Sequence, residues 1–219
     1  MIEAVLFDLD GTLADTAPDL AAALNEQRRL HGLPPLPFEL IRPVASHGAR
    51  GLLALGFNLT PRSPEFAAMR AQFLDLYERR LAAHTALFPG MAETLDALEA
   101  RALRWGVVTN KPARFTLPLL RALGLHPRAG CIVSGDSTAQ AKPHPEPLLH
   151  AATELGLSPA HCLYVGDAER DVAAARAAGM PVVVALYGYL AAEDEPAKWG
   201  ASGLINTPQE ILDWLDGAG

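Results

Sequence analysis

The stretch VLFDLDGTLADT, residues 5–16, runs from an apolar segment straight into two aspartates two positions apart, Asp8 and Asp10. Neighbouring carboxylates repel each other and cost free energy at an apolar sheet edge. A native state that keeps them must offset that cost. A divalent cation is one device, and a proton shared between the carboxylates is another. Residues 3–9 themselves read as a buried strand, being short, apolar and ended by Asp and Gly. Asp15 or Thr16 is placed to cap a helix that starts near Ala17, with Pro18 in its first turn. That helix is expected to stop near His31, at the breaker HGLPPLP.

Residues 37–84 look helical, with no convincing strand. Phe66, Met69, Phe73, Tyr77 and Leu81 recur at helical spacing, so residues 63–84 are expected to form one amphipathic helix with core-facing apolar residues. From about residue 85 the texture changes. LRWGVVTN (103–110), AGCIVSG (129–135), HCLYVGD (161–167) and MPVVVAL (180–186) are short apolar runs suited to buried parallel strands. Helical patterns fall between them, at about 90–101, 112–123, 145–156 and 169–178. The alternation implies an α/β fold, a doubly wound parallel sheet of Rossmann-like type. The first strand belongs with the later four, so the reading is a catalytic core from residues 1–16 and 85–219. Residues 17–84 are then an inserted all-helical domain, hinged near 12–17 and 84–89.

The chain has 219 residues, half of them hydrophobic, enough for one good core and a smaller satellite. A formal net charge of -7 disfavours non-specific nucleic-acid binding. Cys131 and Cys162 sit in apolar runs without metal-knuckle spacing and read as buried reduced thiols. No basic region precedes the first strand and no run is long enough to span a bilayer, so a cytoplasmic location without membrane partners is expected.

In an open parallel sheet the reactive groups gather at the carboxyl ends of the strands. The first strand here ends in Asp8, Leu9, Asp10, Gly11 and Thr12, and the second in Thr109 and Asn110. Lys142 follows the third, and the fourth ends in Gly166 and Asp167 with Asp171 one helical turn on. Each piece alone has a plain structural reading as a turn, a cap or a solvated face. Together, at successive strand ends, they bring acids, a lysine and a hydroxyl to one rim.

DLDGTL, VVTN, AKPHP and VGDAERD resemble the four motifs of the haloacid dehalogenase superfamily, over essentially the whole chain. The helical insertion looks like that family's type-1 cap, and the set is similar to its phosphoglycolate phosphatase branch. The resemblance implies Asp8 as a nucleophile that forms an aspartyl-phosphate. It implies Mg²⁺ held by Asp8, the Asp10 carbonyl and Asp167, and Asp10 as general acid and then base. The amides of Leu9, Asp10 and Gly11 would cradle phosphate oxygens, and Thr109 and Asn110 would meet the phosphate or substrate. Lys142 would neutralise growing charge, with Asp171 and Gly166 in support behind it. An acid at position 10 favours phosphomonoesters over alkyl halides, which need no leaving-group proton.

IRPVASHGARGLLALGF (41–57) is expected to begin a cap helix after a Gly48 turn, with Arg42, His47 and Arg50 near the active-site mouth. Arg42 and Arg50 are the candidates for holding a substrate carboxylate. The leading expectation is a Mg²⁺-dependent phosphoglycolate phosphatase, monomeric or homodimeric, acting on a small phosphorylated metabolite. Ser46-His47-Gly48 departs from the Gly-x-Gly step of many relatives. With the stretch YGYLAAEDEPAKWGA, it leans toward relatives acting on N-acetylmuramic acid 6-phosphate. A phosphomutase of the β-phosphoglucomutase type and a non-enzymatic ligand-binding module are the other readings, the latter opposed by the intact Asp8, Asp10, Lys142 and Asp167. His144 and the remaining histidines show no metal spacing and read as structural.

Overall fold

The structure is a computed structural model that describes residues 1–217. The last two residues of the expected 85–219 segment therefore lie outside the described residues. The chain begins with β1 (Ala4–Phe7) and β2 (Ala14–Asp15). Helices α1 (Ala17–Leu30), α2 (Phe38–Ile41), α3 (Gly48–Phe57) and α4 (Phe66–Glu78) follow, with a 3₁₀ turn at Arg42–His47. Next come β3 (Ala86–Leu87), α5 (Met91–Ala100), β4 (Arg104–Val108), α6 (Ala113–Ala122), β5 (Ile132–Val133) and α7 (Glu146–Glu154). The chain closes through β6 (Cys162–Gly166), α8 (Glu169–Ala178), β7 (Val182–Ala185), β8 (Gly203–Ile205) and α9 (Glu210–Gly217).

Six strands form one parallel sheet in the order β5-β4-β1-β6-β7-β8. The register sets Phe7 beside Val107 on one side and Val165 on the other. Both faces of the sheet are buried, which is why these strands read as continuous apolar runs. One face carries Val5, Phe7, Val107, Val165 and Val183 against α5, α6 and α9, and its core continues into the helical insertion through Leu24, Leu52, Phe73 and Tyr77. The other carries Leu6, Val108, Tyr164 and Val184 against α7 and α8. Strand order reverses here, with β4 and β5 laid down on one side of β1 and β6, β7 and β8 on the other, so the crevice where open α/β sheets bind ligands falls between Asp8 and Asp167.

Several boundaries differ from expectation for local reasons. The helix expected over 63–84 stops at Glu78. Beyond it the chain turns so that buried Asp19 accepts from the amides of His84 and Thr85 at 2.9 Å each. The linkers at the two ends of the insertion pair as a two-stranded antiparallel ribbon, Ala14 opposite Leu87, which was not expected from the sequence. Neither Asp15 nor Thr16 caps α1. Their side chains go instead to the Tyr189 hydroxyl at 2.7 Å and to Asp10 at 2.6 Å. The Ala17 amide donates to the Tyr189 hydroxyl at 2.8 Å, so a distant tyrosine does the capping. The edge strand β8 and helix α9 were also unforeseen.

Candidate active site

Lys142 anchors the site. Its ammonium is fully buried, 3.0 Å from Asp8 Oδ1 and 2.7 Å from Asp171 Oδ1. It also donates to the Val108 carbonyl at 3.0 Å and the Tyr164 hydroxyl at 2.8 Å. A buried cation needs this density of acceptors to offset its lost hydration. Asn110, expected at the phosphate, has both ends of its amide committed elsewhere. It donates to the Lys142 carbonyl at 2.8 Å and accepts from the Lys142 amide at 3.0 Å. The strand end at β4 thus clamps the lysine through its backbone.

Asp8 lies at the end of β1, and its Oδ1 accepts from Lys142 and from the Leu9 amide at 2.7 Å. Burial raises its pKa, with Lys142 opposing that rise and Asp171 adding to it. Burial would also raise Asp171, but Lys142 and Arg170 outweigh it and hold its carboxyl below the usual range. Asp171 Oδ2 accepts from the Ala168 amide at 3.1 Å at the start of α8. Gly166 is required for this approach, since a Cβ there would stand 2.5 Å from the Asp171 Cβ.

Asp167 is the exception among the buried acids. Its Oδ2 accepts from the Tyr189 amide and the Ser46 hydroxyl, both at 2.9 Å. Its Oδ1 is buried and has no partner. No cation pairs with it among the described residues, and its pKa is pushed up to about 7, first by burial and then by Asp171 and Asp8. Asp8, Asp167 and Asp171 each bring an oxygen within 4.8 Å of the others. An orphaned carboxylate oxygen amid hard oxygen donors fits a small divalent cation. Gly11 (φ +86°) belongs to this arrangement, because a Cβ there would come 2.2 Å from Asp167 Oδ2. The amides of Leu9 and Gly11 are not open for phosphate as expected, the first binding Asp8 and the second the Ala14 carbonyl at 3.1 Å.

Asp10 Oδ1 accepts from Lys111 at 2.9 Å and from the Thr16 hydroxyl at 2.6 Å. Lys111 lies 4.6 Å from the Tyr77 ring centre on α4. Burial works to lower the lysine's pKa, but Asp10 and the Tyr77 hydroxyl outweigh it and raise it. Lys111 follows Asn110 directly, and an apolar strand that ends in Thr-Asn-Lys was the available signal for it.

A cavity of about 650 Å³ opens above these groups, between the sheet edge and the helical insertion. Asp8, Asp10, Thr109 and Lys111 form its floor. Arg50, Arg70 and His47 line the opposite wall beside Phe73 and Leu74, and Arg170 reaches in from α8. Arg170 and Arg70 were not foreseen, although Arg170 sits inside the VGDAERD run. Arg42 is not where it was expected. Its guanidinium donates to the carbonyls of Gly188 at 3.0 Å and Tyr187 at 3.3 Å and lies over the Tyr189 ring. Those carbonyls belong to the loop after β7, away from the residues that line the cavity.

The profile of the haloacid dehalogenase-like hydrolases matches residues 2–179. The chain belongs to this family. Among similar hydrolases, N-acetylmuramic acid 6-phosphate phosphatase of Pseudomonas aeruginosa is 44% identical over 99% of this chain and 96% of its own length. Phosphoglycolate phosphatase of Xanthomonas campestris pv. campestris is also 44% identical, over 96% and 95%. A solved structure described as a predicted phosphoglycolate phosphatase from Haemophilus somnus superposes with a TM-score of 0.86 at 31% identity, covering 98% of both chains. CbbY of Rhodobacter sphaeroides, solved with phosphate, gives a TM-score of 0.78 at 27% identity, covering 99% of this chain and 100% of its own. The parallel sheet with its flanking helices is the core of this hydrolase family.

Proposed function

We propose that this haloacid dehalogenase-like phosphatase hydrolyses a carboxylated phosphomonoester through an aspartyl-phosphate on Asp8. The observation that carries the reading is that two neighbouring acids are each held through one carboxylate oxygen only. Asp8 Oδ1 is held by Lys142 and the Leu9 amide, which leaves Oδ2 as the oxygen to attack phosphorus. Asp10 Oδ1 is likewise held by Lys111 and Thr16, which leaves its second oxygen to move a proton.

Asp8, Asp167 and the Asp10 carbonyl are the groups that would hold Mg²⁺. When bound, such a cation would neutralise negative charge on the nucleophile and the phosphate. Lys142 offsets charge on Asp8 and on the equatorial oxygens as phosphorus transfers. Asp10 gives its proton to the departing alkoxide, and the same oxygen then takes a proton from the water that attacks the acyl-phosphate. Thr109, buried at the end of β4 and lining the cavity, donates to a phosphoryl oxygen. The domain division follows the same logic, with residues 1–16 and those from 85 onward carrying the chemistry and 17–84 the cap.

The leaving group sits under the cap. The cavity of about 650 Å³ is within the range that holds whole drug-sized ligands and far exceeds a two-carbon acid. Its wall pairs arginines with Phe73 and Leu74, which suits a ring bearing a carboxylate. Size therefore favours the N-acetylmuramic acid 6-phosphate reading over 2-phosphoglycolate. The test compares kcat/KM for the two substrates by phosphate release, with and without chelator. A higher value for the amino sugar phosphate, lost with chelator, supports the reading. A preference for phosphoglycolate restores the first expectation, and isomerised sugar phosphate without free phosphate indicates a mutase.

A further inference from the structure

Ser46 belongs to the 3₁₀ turn Arg42–His47, between α2 and α3 of the cap, yet both of its polar ends are bound to the core. Its hydroxyl donates to Asp167 Oδ2 at 2.9 Å and lies 3.5 Å from the Asp10 carbonyl oxygen. Its own carbonyl accepts from Arg170 Nη2 at 2.9 Å. Arg170 lies three residues beyond Asp167, so both core partners come from the loop and first turn that follow β6.

We infer that Ser46 is a positioning residue that fixes the cation-binding carboxylate of Asp167 from the cap side. This rests on the proposed role of Asp167 as a metal ligand. Asp167 Oδ2 has two donors, one from the core, the Tyr189 amide, and one from the cap, the Ser46 hydroxyl. Together they fix the carboxylate's rotation and leave Oδ1 as the buried oxygen without a partner. Without the hydroxyl a single amide holds a carboxylate that carries no ion pair, and the group is free to turn. Partners of this kind, which hold a ligand without touching the metal, are worth about 10- to 100-fold in metal affinity.

The arrangement has a second consequence. Because the donor sits on the cap, a seated cap and an occupied cation site stabilise each other, and this linkage is reciprocal. Arg42 fastens the same turn to the loop after β7 through the carbonyls of Tyr187 and Gly188, and the next amide in that loop, Tyr189, is the other donor to Asp167. The cap is thereby joined to Asp167 along two routes.

The test is Mg²⁺ titration calorimetry on the full chain, with wild type, Ser46→Ala and Ser46→Thr, each first shown to be folded by its thermal melt. Ser46→Ala is expected to bind Mg²⁺ about tenfold more weakly. Ser46→Thr, which keeps the hydroxyl, is expected to stay within about threefold of wild type, inside the tenfold loss. A parallel readout is the Mg²⁺ concentration for half-maximal hydrolysis of p-nitrophenyl phosphate, which rises with the same ratio in Ser46→Ala. Wild-type affinity or tighter binding in Ser46→Ala overturns the inference, as does Ser46→Thr binding as weakly as Ser46→Ala. Failure of the wild type itself to bind Mg²⁺ overturns the metal reading on which the inference stands.

Discussion

The floor and the wall of the cavity are built on opposite principles. On and beneath the floor the charged groups are buried or largely so, and all but Asp167 are locked: Lys142 is ringed by four oxygens, and Asp10 is held by Lys111 and Thr16. On the wall Arg50, Arg70 and His47 are exposed side chains over an apolar patch of Phe73 and Leu74. A locked, desolvated floor suits chemistry that needs fixed charges aimed at phosphorus. A solvated wall of long side chains can adapt to a leaving group and sets specificity at lower cost. Substitutions on the floor should therefore be large and indifferent to the leaving group, and those on the wall small and selective.

The largest effect expected is from Asp8→Asn, which keeps the shape and removes the nucleophile. Turnover of every phosphomonoester should fall by at least about 10³-fold while the thermal melt is preserved. Residual turnover within tenfold of wild type in folded protein would sink the covalent route.

Lys142→Ala comes next and strikes stability as well as rate. It strands Asp8 and Asp171 as buried carboxylates without their cation, at a cost of about 3–5 kcal/mol. Urea unfolding should show the loss in midpoint. A variant as stable as wild type would mean that water replaces the ammonium and that the floor is less dry than its burial indicates.

Asp167→Asn probes the one floor acid without an ion pair. With its folded pKa raised from 3.8 to about 7, Asp167 binds a proton more readily in the native state than in the unfolded one. The native state then holds more protons between those values, so its contribution to stability is lost as pH rises from about 4 through about 7. In chelator, Asp167→Asn should melt higher than wild type at pH 8, with the gap closing toward pH 4. Added Mg²⁺ should raise the wild-type melt at pH 8 and leave the variant unchanged. A gap independent of pH would assign the difference to packing.

The smallest effects belong to the wall. Arg50→Ala should lower kcat/KM for a carboxylated substrate by roughly fivefold, since an exposed pair contributes on the order of 1 kcal/mol. Hydrolysis of p-nitrophenyl phosphate, which has no carboxylate, should change little. Arg42→Ala should instead affect both substrates alike, because Arg42 fastens the cap to the loop after β7 and does not face the cavity. If Arg50→Ala depressed both equally, the wall would be part of the locked machinery and the contrast between the two regions would fail.

The sequence by itself determined the doubly wound sheet and the floor of the site. Buried parallel strands leave a two-sided apolar signature, and reactive residues at strand ends are fixed in space once strand order is fixed. Asp8, Asp10, Thr109, Lys142, Asp167 and Asp171 could be gathered on one rim for that reason. Only the tertiary structure decided which neighbours hold them. Asn110 lines the cavity yet commits its amide to the Lys142 backbone, Arg42 turns to the loop after β7, Tyr189 caps α1 from 172 residues away, and Ser46 reaches Asp167 across 121. These side chains could have been satisfied in several places, and periodicity says nothing about which acceptor is nearest. Long-range packing of the cap on the sheet edge chose among them, because each buried donor or carboxylate must find a partner in the one arrangement that fills the core.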